Sequence, residues 1–321
     1  MYLYGNRAAG LIFNFTMKLF ITKLFLFFLP ILLLGATIEI ALRKIPNDYL
    51  YKKNYLDKNA STLEVLFLGN SHFYYGINPK FLQKKSFNAA FVSQSIDFDL
   101  EILKKYETSF KKLEYIVIPI DYLTLFLNLK NSSESWRIKN YNLYYGINYN
   151  YTIADNSEIF SNKMMVNFDR LQSFYLNKMS SITCTNLGWG TSNNSKNAQN
   201  LVTSGKAAAE RHLGKDPEIF VESVQSLTEI VNFAIKNNTK IVLVSSPAYP
   251  TYVRNLDKKQ LAKTIEIATK MDQEHKNVVY LNWMQDTSFV AKDFFDADHL
   301  NEIGAEKLTK KIDAFLESKT F

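Results

Sequence analysis

A single apolar run near the N-terminus divides this chain into two parts that must fold in different surroundings. Residues Leu24–Ile38 carry no charged side chain, and the run reaches Leu42 with only Glu39 inside it. It gives about 19 positions, close to the roughly 20 that a helix needs to cross a bilayer. We therefore expect a transmembrane helix over residues 19–43.

Charged residues on both sides of this run bear on its orientation. They are Lys18 and Lys23 before it and Arg43 and Lys44 after it. The positive-inside rule is therefore nearly balanced. A short basic leader before an N-terminal apolar segment is typical of an uncleaved signal anchor. We expect residues 1–18 to be that cytoplasmic leader, unless translation starts at Met17.

The same arrangement predicts a single-pass membrane protein with an extracytoplasmic C-terminal domain, in the periplasm or at the cell surface. Membrane lipid around the N-terminal helix is then an expected partner. A cleavable signal peptide is the alternative interpretation. It is disfavoured because Gly35-Ala36-Thr37 is a poor small-x-small cleavage site.

The composition limits what the rest of the chain can be. Of its 321 residues, 47% are hydrophobic and 14% aromatic, which excludes a mainly disordered chain. The part after the apolar run, roughly 275 residues, can form one large domain or two small ones. The net charge of +7 comes without an Arg-rich stripe, so no nucleic acid partner is expected.

Strand and helix patterns alternate along much of this part. Short apolar or β-branched runs predict strands, and apolar residues at helical spacing predict helices. The predicted strands are Glu64–Leu68, Glu114–Ile120, Lys240–Ser245 and Asn277–Leu281. The predicted helices are Ser95–Phe110, one from Asp216-Pro217 to Asn237, Leu256–Glu274 and Asn301–Ser318. Such alternation predicts an α/β fold with a parallel sheet covered on both faces.

Two segments fall outside the alternation. Residues 44–62 are polar and tyrosine-bearing, and we interpret them as a juxtamembrane spacer before an α/β domain over residues 63–321. Residues 128–214 are rich in Asn, Ser and Tyr and too long for an ordinary connection. They form an insertion in the domain, either a lid or substrate wall or a loosely packed excursion.

Two short motifs at opposite ends of the domain suggest one catalytic site. The first leads from a strand into Gly69-Asn70-Ser71, and the second places Asp296 three residues before His299. Sites in open parallel sheets form at the carboxyl ends of the strands, where Ser71 is expected. A serine hydroxyl needs a base to take its proton, and the base needs a carboxylate to orient it. We predict Ser71 as nucleophile, His299 as base and Asp296 as orienter.

Three further polar residues near these motifs have simpler explanations. Asp298 could replace Asp296 as orienter, but alternation along the turn is expected to point its side chain away. His72 could touch substrate, yet a first-turn helix residue is more often packed or solvated. Asp121 follows a predicted strand and could line a pocket, but we favour a loop-capping role.

Other candidates elsewhere in the chain also have structural explanations. Arg211-His212 could bind an anionic sugar, though we favour an exposed helix end. Trp189 and Tyr249 could stack on sugar rings, although buried aromatics are commoner. Cys184 is the only cysteine, which excludes an intramolecular disulfide and a cysteine-based metal site. We expect neither a metal site nor a cofactor.

The residues around the two motifs resemble the SGNH/GDSL hydrolase superfamily. Phe67–His72 is similar to its first block, Gly-Asp-Ser, and Asp296–Asn301 is similar to its last block, Asp-x-x-His. The likeness is closer to the membrane-anchored SGNH-like proteins of bacterial surface-polysaccharide loci. It is carried by Gly69–His72, by Phe87–Ala90 followed by Ser93–Ser95, and by His299–Asn301.

This resemblance spans about residues 63–315 and implies a flavodoxin-like three-layer sandwich. It implies the removal or transfer of an ester-linked acyl group, often an acetyl group on a sugar hydroxyl. By the resemblance, Ser71 is the nucleophile, His299 the base and Asp296 its orienter. Asn70 stands where the family usually has Asp.

The resemblance also locates the donors that hold the oxyanion. The family's second donor maps to the region from Asn88 to Ser93, with Asn88 the favoured polar contributor. The family's third block supplies an Asn, but this chain has Pro119–Leu123 after the strand, with no Asn. Losing one such donor costs a factor of roughly 100 to 1,000 in turnover. Either Asn88 or Gln94 replaces it, or the protein is a weak or inactive member.

Two functions follow from these expectations. The first is an extracytoplasmic SGNH-type serine esterase or O-acyltransferase that acts on acyl esters, with acetyl favoured, of cell-surface polysaccharide. The second is a weak or inactive SGNH-like module that binds polysaccharide or a membrane-bound acyltransferase. The long Asn- and Tyr-rich insertion and the missing third-block Asn keep the second function open.

Overall fold

The structure is a computed structural model that describes residues 5–149, 152–214 and 216–318, with side chains from residue 17 onward. Residues 1–4 of the expected leader lie outside this range. The chain divides into two compact units. One combines Met1–Pro46 with Thr152–Met179, and the other combines Asn47–Tyr151 with Ser180–Phe321.

A five-stranded parallel sheet forms the centre of the second unit. Its strands are β1 (Val65–Phe67), β2 (Ser86–Asn88), β3 (Tyr115–Pro119), β4 (Lys240–Ser245) and β5 (Val278–Asn282), in the order β2-β1-β3-β4-β5. Every neighbouring pair is parallel. This is the strand order of flavodoxin-like folds, whose switch point lies between β1 and β3. The predicted α/β class is therefore confirmed.

Helices occur in both units and vary widely in length. The first six are α1 (Gly5–Arg43), α2 (Asp48–Asn59), α3 (Ser71–Gly76), α4 (Ile96–Tyr106), α5 (Ile138–Asn140) and α6 (Glu158–Ser161). The remaining six are α7 (Met164–Leu171), α8 (Leu201–Arg211), α9 (Pro217–Lys236), α10 (Pro250–Val253), α11 (Lys258–Glu274) and α12 (Glu302–Glu317).

Side chains on the two faces of the sheet belong to separate apolar cores, because successive strand residues point to opposite faces. Leu66 and Ile116 pack in a core that includes residues of α4, α9 and α11. Val65 and Val117 pack in a second core that includes residues of α3 and α12. The sheet is therefore the middle of three layers, as predicted.

Helix α9 shows how local sequence sets these boundaries. The Asp216 side chain accepts the N–H of Glu218, and Pro217 occupies the first turn, where its missing N–H costs nothing. Leu227, Ile230 and other residues of the same stripe are buried against the sheet. The amphipathic pattern of the sequence is therefore sufficient to place this helix.

The segment expected to be a juxtamembrane spacer is largely helical. Asn47 caps α2 by accepting the N–H of Leu50. Tyr49, Lys52 and Leu56 are buried along one face of the helix, so α2 is part of the unit built around the sheet. The sequence pattern did not predict this buried face of α2 because its middle residue, Lys52, is charged.

The predicted insertion, residues 128–214, is divided between the two compact units. Residues 128–149 and 180–214 belong to the unit around the sheet, where Tyr141 and Tyr145 are buried in the first core. Thr152–Met179 belongs to the other unit, together with α1. A single lid or a single loose excursion is therefore too simple a description of this region.

Helix α1 carries the apolar run of the sequence. Met17–Arg43 has a mean hydropathy of 2.3 and is long and apolar enough to span a membrane. Large apolar side chains along it are exposed, among them Phe27, Leu32 and Leu34. Exposure of this kind is what a lipid-facing helix requires.

Candidate active site

The backbone around Ser71 is shaped by a glycine at the end of β1. Gly69 has φ = +108°, a conformation that L side chains rarely adopt. A Cβ atom on it would lie 2.3 Å from Cδ of Pro119 at the end of β3. The chain then turns at Asn70, whose Oδ1 accepts the N–H of His72 at 3.0 Å and caps α3. Ser71 is thus the first residue of α3, at the switch point of the sheet.

The structure brings together the three residues predicted to be catalytic. Oγ of Ser71 lies 2.8 Å from Nε2 of His299. Nδ1 of His299 lies 3.0 and 3.1 Å from the two carboxylate oxygens of Asp296. With the Nδ1 proton donated to Asp296, Nε2 is left as the acceptor for the serine proton. This is the hydrogen-bonded order of a Ser–His–Asp triad.

A closed loop before α12 holds the histidine and the aspartate. Asp296 accepts the backbone N–H groups of Asp298 and His299, at 3.1 and 2.7 Å. Asn301 caps α12 by accepting the N–H groups of Ile303 and Gly304, and its amide donates back to Phe294 O and Lys292 O. The loop therefore needs the Asn that follows the His-Leu pair in the sequence.

Two backbone N–H groups are available for an oxyanion near Ser71. One belongs to Ser71 itself, and the other belongs to Ser93, which has φ = +60°. Neither N–H has a hydrogen-bond partner among the described residues. Both residues line the same cleft. Ser93 lies at the end of the region predicted to supply the second donor.

The side chains of Asn88 and Gln94, the two expected replacements for the missing donor, are engaged with other groups in the structure. The amide of Asn88 donates both of its hydrogens, to Phe73 O and Ile77 O, each at 2.8 Å. The amide of Gln94 is buried, with Nε2 donating to Asp99 at 2.5 Å and Oε1 accepting from Tyr141. Each side chain is used to hold local structure, a role that residue spacing cannot show.

Asn70 is the predicted polar residue that does line the cleft. Its Nδ2 has one long contact, 3.4 Å to Oγ1 of Thr124. An amide has two donor hydrogens. A donor hydrogen of Asn70 therefore has no partner among the described residues and lies in the cleft with Ser71.

Asp298 corrects a second expectation, because its side chain points into the site rather than away. Its Oδ2 lies 3.4 Å from Nδ1 of His299 and 3.5 Å from Nε2 of His72. The carboxylate is 3% exposed and has no hydrogen-bond partner that meets strict geometry. It is a second carboxylate facing the imidazole that Asp296 already orients.

His72 and Asp121 form a buried pair behind this carboxylate. Nδ1 of His72 donates to Oδ2 of Asp121 at 2.8 Å. Asp121 also accepts the N–H and the O–H of Ser246, so it joins β3 to the end of β4 rather than capping a loop. Both ring nitrogens of His72 face carboxylates, which is the arrangement of a doubly protonated imidazolium.

The charges of this cluster follow from burial and pairing. Burial opposes the charge on His72, but the negative charges of Asp121 and Asp298 and the hydrogen bond to Asp121 outweigh it and raise the pKa of His72 to about 10. Burial alone would raise the pKa of Asp298, yet His299 and His72 hold it well below its usual range. Burial lowers the pKa of His212 to about 3, so that ring is neutral.

Potential ligand atoms of His72, Asp298 and His299 lie within 4.8 Å of one another and could in principle hold a metal ion. Both nitrogens of His299 are already engaged, with Asp296 and with Ser71. A metal on Nδ1 would displace the proton that Asp296 accepts. The arrangement fits a hydrogen-bonded cluster better than a metal centre.

The site opens into a cleft of about 790 Å³. Part of the predicted insertion forms its wall, through residues 131–134, Arg137 and residues 211–214. The exposed guanidinium of Arg211 lies 3.6 Å from Oδ2 of Asp298. A larger cleft, about 970 Å³, lies at the amino ends of the strands beside His275, at the edge of the sheet opposite the triad.

Three other candidates have structural roles. Trp189 donates from Nε1 to Tyr75 O at 2.6 Å, and Tyr249 packs edge-on against Phe294. These contacts give both rings structural roles. Burial raises the pKa of the Cys184 thiol to about 12, so it is not a reactive nucleophile.

The fold and this geometry together define an α/β protein with a Ser–His–Asp hydrogen-bonded chain at the carboxyl ends of its strands. No protein-family model matches the sequence, and no curated protein matches it. Among solved structures, the chain is similar to a Streptococcus pneumonia protein described as a putative platelet activating factor. The sequence identity is 12% and the TM-score is 0.43, and the alignment covers 90% of this chain and 98% of that chain. It is also similar to a GDSL-like lipase from Bacteroides thetaiotaomicron, with 12% identity, a TM-score of 0.41, and 84% and 98% covered. Neither similarity assigns a substrate to this chain.

Proposed function

We propose that this protein is a membrane-anchored serine esterase or O-acyltransferase that acts on acyl esters, with acetyl favoured, of extracytoplasmic glycan. The observation that carries the proposal is the 2.8 Å contact between Oγ of Ser71 and Nε2 of His299, continued to Asp296. Neutral serine is a weak nucleophile, and a base in hydrogen-bond contact is what activates it. The apolar α1 supports the membrane anchor.

The geometry supports acyl transfer through a covalent intermediate. Nε2 of His299 takes the proton as Oγ of Ser71 attacks the ester carbonyl carbon. The resulting imidazolium is stabilised by Asp296, with Asp298 as a second carboxylate at 3.4 Å. When the intermediate collapses, the imidazolium gives its proton to the leaving alcohol, and the acyl group remains on Ser71. Water or a second sugar hydroxyl then accepts that group.

The negative oxygen of the tetrahedral intermediate needs donors on one side of Ser71. The N–H groups of Ser71 and Ser93 and the amide of Asn70 are candidates, because all three residues line the cleft. Fixed donors of this kind are worth about 3–4 kcal/mol each in turnover. The cleft also has room for more than a small ester, which supports a sugar-borne acyl group.

The decisive experiment compares the full chain in detergent with its Ser71→Ala variant. We expect the wild type to hydrolyse a 4-nitrophenyl acetate or an acetylated sugar and to react with a fluorophosphonate probe. Ser71→Ala should lose both, while Ser109→Ala, at a serine outside the cleft, should keep them. Equal hydrolysis by wild type and Ser71→Ala would contradict the proposal.

A second candidate is a module that binds polysaccharide or a membrane-bound acyltransferase in the same cleft without turnover. The observation that favours it is that the amides of Asn88 and Gln94 are already hydrogen-bonded elsewhere. These two side chains were the expected replacements for the oxyanion-donating Asn that this chain lacks after β3. Binding of glycan fragments that is unaffected by His299→Ala, with no turnover, would support it. Rapid fluorophosphonate labelling of Ser71 would count against it.

A further inference from the structure

The segment Thr152–Met179 forms a compact unit with the end of the apolar helix. Glu39, in the last part of α1, accepts the backbone N–H groups of Glu158 and Ile159, each at 3.0 Å, and the hydroxyl of Ser157 at 2.8 Å. These groups are the unpaired donors at the start of α6, so the carboxylate of Glu39 completes that helix. The contact fixes α6 beside one turn of α1.

Two further contacts join the segment to the same turns of α1. The guanidinium of Arg43 donates to Asn156 O at 2.9 Å, and the hydroxyl of Tyr175 donates to Ala41 O at 2.9 Å. All three contacts fall between positions 39 and 43 of α1, where the apolar run ends. If α1 spans a bilayer, these positions lie at its interface with water.

Two polar residues are buried inside the segment. The Glu158 side chain is fully buried and pairs with Arg170 at 2.5 and 3.1 Å. Asn167 is buried and donates to Glu158 O and Ile159 O. Charged side chains are rarely buried like this in small water-soluble units, whereas membrane-embedded segments place polar groups inside.

The outer surface of the segment carries many large apolar side chains beside exposed charges such as Lys163 and Lys178. Met164 is 87% exposed and Phe168 is 60% exposed, on the outward side of α7. The other large exposed apolar side chains of the segment are Ile153, Phe160, Met165, Val166, Tyr175, Leu176 and Met179. So many large apolar groups on one short segment form a patch that marks an interaction surface.

We propose that Thr152–Met179 is a second membrane contact, which lies in the interface of the bilayer that α1 crosses and inserts its apolar side chains among the lipid headgroups and upper acyl chains. We assign lipid as the partner of this surface because the segment is bound to α1 at positions 39–43. The transmembrane helix therefore sets the depth of the segment in the bilayer. The apolar surface thereby continues an existing lipid-facing surface. Lys163 precedes α7, and Lys178 follows the π-helical turn Gln172–Leu176; both are exposed and suit anionic headgroups.

The segment also differs from a simple amphipathic helix. An isolated eight-residue helix such as α7 is too short to be stable in water on its own. Here the Glu158–Arg170 pair and the Glu39 contacts hold it in place before it meets lipid. The proposal does not depend on the chemistry at Ser71, and it makes the inserted Thr152–Met179 a membrane element rather than a lid.

The test places a fluorescent probe on this surface in the full-length protein. In a Cys184→Ser background, Met164→Cys and Phe168→Cys are each labelled with bimane and reconstituted into phosphatidylethanolamine–phosphatidylglycerol vesicles. The matched control is Val221→Cys, an exposed apolar position on α9 in the other unit. We expect blue-shifted emission at 164 and 168, and loss of intensity with lipids spin-labelled near the glycerol end of the acyl chain.

Each outcome decides the question. Quenching by these lipids at 164 and 168 but not at 221, with protection from aqueous iodide, supports the proposal. Iodide quenching at 164 and 168 equal to that at 221 overturns it. Protection from iodide without quenching by lipid also overturns it, because a protein surface then covers the segment. Two independent labelled positions guard against one substitution that disturbs the fold.

Discussion

At the scale of single residues, the position of the Ser71 hydroxyl depends on the backbone that its two preceding neighbours shape. Gly69 lets β1 pass within contact of Pro119, and Asn70 turns the chain into α3. His299 depends in the same way on Asn301, which closes the loop before α12. Substitutions at these positions test whether the backbone conformation keeps Ser71 and His299 in place.

Gly69→Ala is expected to destabilise the protein strongly. The new Cβ would meet Pro119 at 2.3 Å, in a backbone conformation with φ = +108° that alanine rarely adopts. We expect a loss of about 2–4 kcal/mol in the free energy of unfolding, from overpacking together with backbone strain. Thermal unfolding of the full chain in detergent measures it.

Gly76→Ala is the matched control for that substitution. Its Cβ would lie 3.7 Å from Leu300 and Leu308, an ordinary contact distance, within helix α3. We expect a change below about 1 kcal/mol, since alanine is the better helix former. Equal destabilisation by both substitutions would show that the close approach of Gly69 to Pro119 does not matter.

His72 and Asp298 are expected to shift the pH dependence of turnover in opposite directions. His72→Gln removes a buried cation, which leaves more negative charge beside His299 and favours its charged form. The acid limb of the kcat/KM profile should then move to higher pH. Asp298→Asn removes a buried anion and should move the limb to lower pH.

The charged and titratable groups that face His72, Asp298 and His299 come from several elements. They stay unchanged in the two substituted variants. They are Asp296 on the same loop, Asp121 after β3, Arg211 and His212 at the end of α8, and Tyr252 on α10. His275→Gln, beside the cleft at the opposite edge of the sheet, is the control and should not move the limb. Shifts in the same direction for His72→Gln and Asp298→Asn would rule out opposing charge effects.

At the scale of elements, helix α2 shows how a charged residue can belong to a core. Lys52 is fully buried, donates to Ala90 O at 2.5 Å, and lies over the rings of Tyr74 and Phe91 at 4.6 and 4.5 Å. Its apolar stem fills the helix interface while its ammonium finds a carbonyl and two aromatic faces. Burial lowers the pKa of Lys52 to about 8.

That lowered pKa predicts how α2 contributes to stability as pH changes. Between about pH 8 and 10.5 the unfolded chain binds the Lys52 proton and the folded protein does not, so the lysine's contribution rises with pH in this window. Relative to wild type, Lys52→Met should be more stable near pH 7 by up to about 3 kcal/mol. This advantage should shrink towards pH 10.5.

Unfolding of both proteins at several pH values measures this difference. Lys53→Met, at a neighbouring lysine that pairs with Asp57 at the surface, is the control and should show no such trend. The raised pKa of His72 acts in the opposite sense, because its contribution is complete below about pH 6.5 and is lost as pH rises towards 10. The wild type and Lys52→Met share that effect, so it cancels in their comparison. An advantage of Lys52→Met that stays constant with pH would contradict the assignment.

At the scale of the whole molecule, the apolar helix α1 predicts where the protein works. We predict that it crosses the membrane once, with the unit around the sheet on the extracytoplasmic side. A C-terminal alkaline phosphatase fusion in a bacterial host should be active, and a C-terminal green fluorescent protein fusion should be dark. The reverse pattern would place the site in the cytoplasm and would exclude cell-surface glycan as substrate.

Membrane insertion itself can be tested on the same helix. Leu32→Arg combined with Leu33→Arg places two charges at the centre of the apolar run, each costing about 2.5–3.5 kcal/mol in insertion. We expect the variant to lose membrane association after carbonate washing, whereas Leu19→Arg, near the end of the run, should retain it. Equal retention of both variants would show that α1 does not carry the anchoring.

The sequence alone determined the apolar helix, the α/β alternation and the pairing of Ser71 with Asp296 and His299, because these depend on local periodicity and on chemistry that few residues supply. Strand β2, Ser86–Asn88, was missed because only Phe87 in it is apolar, whereas the equally short β1 consists of three apolar residues. The roles of Asn88 and Asp298 depended on which distant groups they meet in the folded protein, so spacing could not predict them.

Only the tertiary structure decided the contacts between remote parts of the chain. His72 meets Asp121, 49 positions away, and Glu39 meets the start of α6, 119 positions away. A sequence shows that His72 and Glu39 are polar, but not which partner satisfies them after burial. Burial of a polar group is tolerated when a partner is present, and the fold of the whole chain brings that partner into place.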